Sequence, residues 1–339
     1  MNETYRNSES ASINTSGFED IPTPDENPRL INGIVLVFVA LVGITGNSLV
    51  LYVQHFKCKR TTFSLFVKWL ACLDLFNCLT TIPLDITIKT VPDLISINMV
   101  AACKISHYSA YATSMSSGMI LFFIAVQRYK KVCRPFKDAI NIGTARILCL
   151  VAIAVGAGIS SLTIFVSGPE AVEVVHGNGT FRTIVCRADE KTKGSPMAVA
   201  FTVILYAAFS AVLLSVVVLY CQLRSRLLLQ VKIRQDYQEV AAKTCGQPTS
   251  PMCDHVTKIF FIVTLVFIFS YIPHLIEYAV FVGTKHTRSV YGTTERILLD
   301  FAYNSPYINN IANPIIYSFL STEFKENCKE LFSFRKTNI

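Results

Sequence analysis

The chain has 339 residues, of which 52% are hydrophobic and only 16% are charged. A soluble domain usually carries about 25% charged residues, so this composition excludes an ordinary soluble globular protein. Long apolar runs predict an all-α membrane protein that crosses the bilayer several times. The net charge of +8 does not indicate a nucleic-acid partner, because the basic residues concentrate on one predicted side of the membrane.

Residues 1–29 form a polar, mostly acidic tail. Asn2 and Asn14 each begin an Asn-x-Ser/Thr sequon, so both are predicted glycosylation sites and the tail is predicted to be extracellular. No apolar core of a cleavable signal peptide precedes the first apolar run. We therefore expect that run to serve as its own membrane-insertion signal.

Seven apolar runs follow the tail, and each is long enough to cross a bilayer as a helix. The loops after the first, third and fifth runs are basic, beginning with Lys57, Lys130 and Arg224. The positive-inside tendency places those loops in the cytosol, so a plasma-membrane protein with its amino terminus outside and its carboxyl terminus inside is predicted. The predicted parts are a glycosylated tail at 1–29, a bundle at 30–320 and a cytosolic tail at 321–339. The predicted spans are residues 30–54, 63–88, 99–128, 144–168, 196–223, 256–282 and 296–320.

The third run, within residues 103–136, is expected to be the central helix of the bundle. No Asp, Glu, Lys or Arg lies between Lys104 and Arg128, and a helix over this stretch is long enough to join the two membrane surfaces. Tyr108, Tyr111 and several serines lie in its first two-thirds. Polar groups inside a membrane should face other protein rather than acyl chains, so neighbouring helices are expected to surround this one.

The loop between the fourth and fifth spans has two runs of β-forming residues, 171–175 and 180–185, separated by Gly-Asn-Gly. This pattern predicts a β-hairpin, with a loose loop as the alternative, and Asn178 at its tip also begins a sequon. Cys103 and Cys186 are the only two of the eleven cysteines predicted to lie outside, so one extracellular disulfide is available to them.

After the seventh span, residues 322–334 alternate charged side chains with aromatic and aliphatic ones. This pattern predicts a short amphipathic helix that lies on the inner membrane surface in contact with lipid. Cys328 lies within it, and the sequence leaves open whether this cysteine carries a lipid or stays a free thiol. Arrestin binding is also left open. The hydroxyl groups of the tail are those of Ser321, Thr322, Ser333 and Thr337.

Asp74 is the only charged residue between Trp69 and Leu84. A carboxylate inside a membrane is costly, so Asp74 is a candidate functional residue. Oxygen ligands around one carboxylate suit a sodium ion or a proton, and a hydrogen-bond network without an ion is the alternative. The polar residues of other spans that could join it are Asn47, Ser117, Asn309, Asn310 and Asn313.

Several short motifs occur in a fixed order along these spans. They are Gly46-Asn47, Leu70-Ala71-Cys72-Leu73-Asp74, the pair Cys103 and Cys186, Gln127-Arg128-Tyr129, the group Phe267, Ser270, Tyr271 and Pro273, and Asn313-Pro314-Ile315-Ile316-Tyr317. In this order the chain resembles the rhodopsin-like (class A) G-protein-coupled receptors over nearly its whole length. The resemblance implies a seven-transmembrane helix bundle with an outer disulfide between the two cysteines.

The resemblance also implies a mechanism in which an extracellular ligand shifts a population of conformations. A bound agonist favours outward movement of the sixth helix at the cytosolic end, where a heterotrimeric G protein binds and releases GDP. No cofactor is implied apart from an allosteric sodium ion, and no other metal. The implied coupling residues are Arg128, Tyr129, Tyr220 and Tyr317. The implied sodium pocket is Asp74, Ser117, Asn309 and Asn313. The implied activation switch is Phe267, Tyr271, Pro273, Asn313, Pro314 and Tyr317.

The sequence departs from the family pattern in the helices that move. Gln127 replaces the acid that normally pairs with the motif arginine, so we expect raised signalling without ligand. Tyr271 stands in place of the usual tryptophan and Ser270 in place of the adjacent cysteine. Val212 lies about where the fifth helix usually has a proline.

The ligand class is indicated by exclusion. Ala110 stands where amine receptors of the family carry an aspartate, and Tyr307 stands where opsins carry the retinal-binding lysine. Aromatic and charged side chains at helical spacing near the outer surface suit a peptide. For each of them a packing role or a solvated rim is the alternative. The predicted ligand pocket is His107, Tyr111, Ser114, His274, Glu277, Tyr278, Asp300, Tyr303 and Tyr307.

Other functions remain as alternatives at this point. A receptor of the same family for a small lipid or metabolite is the nearest one. A secondary transporter is more remote, because an intramembrane aspartate and broken helices occur there too, but no inverted repeat is found. An enzyme is not expected, since the sequence has no metal-ligand spacing, nucleophile elbow or phosphate-binding loop.

Overall fold

The computed structural model describes residues 26–90, 98–133, 140–176, 179–188, 196–241, 252–284 and 293–333, and long helices dominate it. The first helix, α1, is Glu26–Phe56 and the second, α2, is Thr62–Phe76. Thr61 precedes α2 as its N-cap and its side chain accepts a hydrogen bond from the Ser64 amide at 3.1 Å.

The second membrane span is not one regular helix. After α2 the chain passes through a π-helical turn, Asn77–Thr81, into α3, which is Ile82–Thr90. Pro83 has no backbone N–H, so the regular hydrogen-bond ladder cannot run through it, and the wider turn lies just before it. The sequence analysis did not predict this break.

The helix α4, Met99–Cys133, lies at the centre, as predicted for the third run. It packs against α2 and α3 and against four further elements: α5 (Ile142–Ser160), α7 (Pro196–Ala241), α8 (Met252–Thr284) and the first strand. A short helix, α6 (Thr163–Val166), leads from α5 to that strand. The fifth predicted span ends at residue 223, and α7 continues beyond this point to Ala241.

Two antiparallel strands follow α6. They are β1 (Ser167–His176) and β2 (Gly179–Ala188), and their register pairs Pro169 with Cys186. Residues 177–178, which include the predicted glycosylation site Asn178, lie outside the described residues, as do Asn2 and Asn14.

The last span is broken, because its two halves are joined by a 3₁₀ turn. α9 (Thr293–Asn304) leads into the 3₁₀ turn Ser305–Ile308, and α10 (Asn309–Leu320) follows. Proline lies at the start of the 3₁₀ turn, and Pro314 lies inside α10 as Pro273 lies inside α8. α11 (Thr322–Ser333) then forms the predicted amphipathic helix.

Six helices of the described part are long and apolar enough to cross a membrane. The broken segment α9–α10 is the seventh of the predicted spans. Many of the large apolar side chains on the outside of the bundle are exposed, among them Phe38, Phe165 and Phe269. In water this would be unfavourable, but in a bilayer these side chains meet acyl chains. The chain is therefore a multi-pass membrane protein.

The contact between α1 and α10 explains the Gly46-Asn47 motif. A methyl group added at Gly46 would lie 2.7 Å from Cγ of Pro314, so only glycine allows this approach. Next to it, Asn47 is fully buried, and its amide nitrogen donates to the backbone oxygens of Asn310 at 2.7 Å and Gly43 at 3.0 Å. Asn47 thus joins the two helices rather than contacting Asp74.

Candidate functional site

A cavity with about 650 Å³ of empty space, part of it open to solvent, lies between α3, α4, α8 and the α9–α10 segment. It reaches from the predicted outer half of the bundle down to Asp74 near the middle. Of the predicted ligand-pocket residues, six line it, and they are His107, Tyr111, Ser114, His274, Tyr303 and Tyr307. The same cavity is lined by Asp74, Ser117 and Asn309 of the predicted sodium pocket.

Two predicted pocket residues do not line this cavity. Asp300 lines a separate pocket between α1 and α9. Glu277 is buried on α8 and does not line the cavity. Tyr278 belongs to α8, but its side chain lies outside the described part of the chain.

The cavity wall contains a carboxylate that the sequence analysis missed. Asp85 of α3 is 6% exposed, and it accepts hydrogen bonds from the hydroxyls of Ser106 and, at 2.7 Å, Tyr307. Lys89, one turn further along α3, has its Nζ 3.6 Å from Asp85 Oδ2. Asp85 therefore joins α3, α4 and the 3₁₀ turn of the seventh span at one point.

The other polar groups of the outer half connect to this point. Lys89 donates to Asn304 Oδ1 at 2.7 Å and its Nζ lies 4.9 Å from the centre of the Tyr303 ring. His107 Nε2 is hydrogen-bonded to the Tyr303 hydroxyl at 3.1 Å, and His274 Nδ1 to the Tyr303 backbone oxygen at 2.9 Å. Helices α3, α4, α8 and α9 thus share one polar layer.

The predicted disulfide between Cys103 and Cys186 is confirmed, with the two Cα atoms 5.3 Å apart. It fixes β2 to the start of α4. A second attachment lies one turn along α4, where His107 Nδ1 is 2.9 Å from the Ser167 hydroxyl at the start of β1. Both strands are therefore fixed to the same helix.

At the lower end of the cavity Asp74 is 5% exposed and accepts a hydrogen bond from Asn313 Nδ2 at 2.7 Å. Asn309 instead donates to the Ser270 hydroxyl at 2.5 Å. Asn77 Oδ1 is buried without a hydrogen-bond partner among the described residues, and the Asn77 side chain lines the same cavity. Carboxylate, hydroxyl and amide oxygens are the ligands that a hard cation prefers, so the residues present fit a sodium ion.

At the floor of the cavity two predicted switch residues, Phe267 and Tyr271, form an aromatic cluster. The Tyr271 ring lies 4.7 Å from Phe267 and 4.6 Å from Phe209 of α7. Gly118 of α4 gives Phe267 room, because a methyl group there would lie 3.2 Å from the ring. Tyr271 therefore packs in the core between α7 and α8, and Pro273, two residues later, lies inside the same helix.

At the opposite end Arg128 of α4 is only 4% exposed. Its guanidinium carbon lies 5.3 Å from the centre of the Phe63 ring and 5.7 Å from that of Phe260, and these two rings contact each other edge to face at 5.1 Å. Two helices thus cover the arginine with aromatic rings. No motif in the sequence predicts this contact, since neither phenylalanine belongs to one.

The other predicted coupling residues are Tyr129, Tyr220 and Tyr317, and Tyr129 follows Arg128 directly in α4. Tyr220 of α7 and Tyr317 of α10 are buried, and Tyr129 is half-buried. Gln127 Oε1 has no hydrogen-bond partner within the described ranges, so the residue that replaces the usual acid does not act as an acceptor there.

The helix α11 is attached beneath α1. The ring of Phe324 lies 6.4 Å from that of Tyr317, Lys57 Nζ lies 3.6 Å from a Glu330 oxygen, and Asn327 Nδ2 lies 3.8 Å from Cys58 Sγ. Burial, with the charge of Glu323 nearby, raises the pKa of Cys58 to about 11, so this thiol stays protonated at neutral pH. Burial also raises the pKa of Cys328 above its ordinary value.

The family profile described as 7 transmembrane receptor (rhodopsin family) matches residues 46–317. The type-1 angiotensin II receptor B of Mus musculus is 27% identical over 316 residues, which cover 88% of this chain and 79% of the receptor. The type-1 angiotensin II receptor of Sus scrofa is also 27% identical over the same shares. The QRFP-like peptide receptor of Branchiostoma floridae is 24% identical over 313 residues, covering 91% of this chain and 78% of that receptor.

Proposed function

Because the chain belongs to the rhodopsin family of seven-transmembrane receptors, we propose that it binds an extracellular peptide and catalyses nucleotide exchange on a heterotrimeric G protein. It does so in the plasma membrane, with the amino terminus outside. The family is one of receptors and not of enzymes. The transporter alternative loses its basis, since the relatives reported above are receptors too.

The observation that carries the proposal is the continuous cavity from Asp85 to Asp74. In its outer half two histidines and three tyrosines supply hydrogen-bonding and aromatic groups. Such a mixture suits the backbone and side chains of a peptide better than an acyl chain, which needs apolar walls. The relatives named for peptide ligands support the same choice.

The cavity also connects ligand and switch. Tyr271 and Phe267 line its floor and belong to α8, while Arg128 lies farther down α4 beneath α8 and α2. A ligand that binds more tightly when α8 has moved would shift the population toward an open cytosolic end. The G protein then enters where Phe260 now covers Arg128.

The function is tested by a peptide-library screen in cells that express the chain with several G-protein reporters. We expect at least one peptide to stimulate nucleotide exchange. Tyr303→Ala should weaken this stimulation by about 5- to 150-fold, since a lost hydrogen bond and ring contact cost about 1–3 kcal/mol. Phe301→Ala is the matched control, because Phe301 is 56% exposed on the same helix. If only lipid or metabolite fractions activate the chain, the peptide proposal is wrong and the ligand is a small lipid or metabolite.

We further propose that a sodium ion binds beside Asp74 and favours the closed conformation. Asp74 would hold the ion, with Ser117, Asn309 and Asn313 around it. Replacing sodium by choline at equal ionic strength should raise exchange without ligand several-fold in the natural chain. Asp74→Asn should make exchange independent of the cation, because the charge that retains the ion is gone. Sodium dependence that persists in this variant would contradict the site.

A further inference from the structure

We propose that Asp85 binds a cationic group of the ligand, a guanidinium or an ammonium, and that Lys89 competes with this group for the carboxylate. The inference rests on the proposed function in that a ligand must enter the cavity. The inference also names the chemical group at one end of that ligand and the residue that selects this group.

The charge of the cavity wall is the first support. Among the described residues that line the cavity, the carboxylates are Asp74 and Asp85, and none is a lysine or an arginine. The two acids are eleven residues apart, or roughly 16 Å along a helix, so Asp85 alone lies in the outer half. Aromatic rings of Tyr111, Tyr303 and Tyr307 complete this part of the wall, and aromatic faces attract cations.

The hydrogen bonds of Asp85 are the second support. Its Oδ1 accepts from Ser106 and its Oδ2 from Tyr307, both neutral hydroxyls. The nearest cation, Lys89 Nζ, lies 3.6 Å away, beyond the usual length of a hydrogen bond. The buried charge is thus oriented by two donors and is matched by no cation in hydrogen-bonding contact among the described residues. A ligand cation would add the charge-assisted bond that this arrangement lacks.

The position of Lys89 is the third support. Its ammonium already donates to Asn304 at 2.7 Å and lies over the Tyr303 ring. It can therefore give up Asp85 without being left unpaired, and about 26% of its side chain stays exposed to solvent. Lys89 lowers the local negative potential, so a ligand cation must interact with Asp85 more strongly than this ammonium does in order to take its place.

The test uses two hexapeptide pools that differ at one position only, arginine in the first and its neutral isostere citrulline in the second. Both are applied to the purified full chain, with thermal stabilisation reporting binding and nucleotide exchange reporting signalling. We expect the arginine pool to stabilise and activate the natural chain at about 10- to 100-fold lower concentration than the citrulline pool, as charge-assisted bonds are worth about 1.5–3 kcal/mol.

The variants then separate recognition from folding. Asp85→Asn should remove the difference between the two pools, and Asp85→Glu should keep most of it. Lys89→Gln should increase the difference several-fold, while the new side-chain amide still donates to Asn304. Asp300→Asn is the matched control, because that carboxylate lines another pocket. If Asp85 had a purely structural role, replacing Asp85 and replacing Lys89 would not change the difference between the pools in opposite directions.

Two outcomes overturn the inference: equal action of both pools on the natural chain, or a difference that Asp85→Asn leaves intact. If Asp85→Asn fails to fold, the comparison of the pools on the natural chain and on Lys89→Gln still decides. Stabilisation by the arginine pool without nucleotide exchange would contradict the proposed signalling function and leave the ligand site standing. Nucleotide exchange driven equally by citrulline peptides would contradict the ligand site and leave the proposed signalling function standing.

Discussion

Replacement of Arg128 by alanine is expected to abolish ligand-stimulated nucleotide exchange, with a loss of at least about 100-fold, while ligand binding persists. Arg128 lies at the inner end of α4, seventeen residues or roughly 25 Å below Tyr111 of the cavity. Its guanidinium lies beside the Phe63 and Phe260 rings, where the G protein is proposed to enter. The variant removes the charge that the partner would contact and touches nothing in the cavity.

The measurement is nucleotide exchange on a reporter G protein at matched surface expression, with peptide binding recorded on the same cells. Lys130→Ala is the matched control. Lys130 is exposed, and its replacement removes one positive charge from the same end of the helix. Full coupling by the Arg128 variant would refute its role. Loss of coupling in both variants would show that net charge, rather than this guanidinium, is what matters.

Replacement of Phe260 by leucine is expected to raise exchange without ligand by about tenfold. The Phe260 ring covers Arg128 and touches Phe63, so it connects α8 with α2 and α4. A desolvated cation–π contact is worth up to about 2 kcal/mol, and about 1.4 kcal/mol shifts an equilibrium tenfold. Because these contacts exist only while α8 lies over Arg128, losing the ring disfavours the closed conformation alone.

Phe269→Leu is the matched control, since Phe269 lies on the same helix and is 65% exposed. Gln127→Asp is the opposite change: a carboxylate beside Arg128 should add a restraint and lower exchange without ligand. Exchange without ligand should therefore be higher than in the natural chain for Phe260→Leu, lower for Gln127→Asp and unchanged for Phe269→Leu. Equal activity of all of them at matched surface expression would mean that neither restraint controls the closed state.

The sequence predicted the membrane spans and the disulfide because these follow from local patterns. Apolar runs of sufficient length become helices in lipid, and only Cys103 and Cys186 were predicted outside. The positions of Asp74 and Arg128 also followed from motifs. The π-helical turn before Pro83 and the 3₁₀ turn of the seventh span were missed, since several regular and irregular paths satisfy the same apolar pattern.

The misses at the site have a common cause. Asp85 and Lys89 lie in the last turns of a span, where a charge is easily read as part of a solvated rim. A signal was present: eleven residues are nearly three full turns, so Asp85 lies on the same face as Asp74 and is expected to point inward too. By contrast, no pattern predicts that Phe63 and Phe260 meet over Arg128. That contact depends on how three helices cross. Asp300, predicted for the ligand pocket, lines another pocket.

The two attachments of the strands to α4 determine how a ligand reaches the cavity. Cys103 holds β2 and His107 holds β1, and the two anchor residues are one helical turn apart. A sheet attached through both of its strands can rotate only about the line that joins the two attachments, so its movement away from α4 is restricted. We therefore expect the size of the opening beside the sheet to select ligands by their width before any chemical recognition takes place.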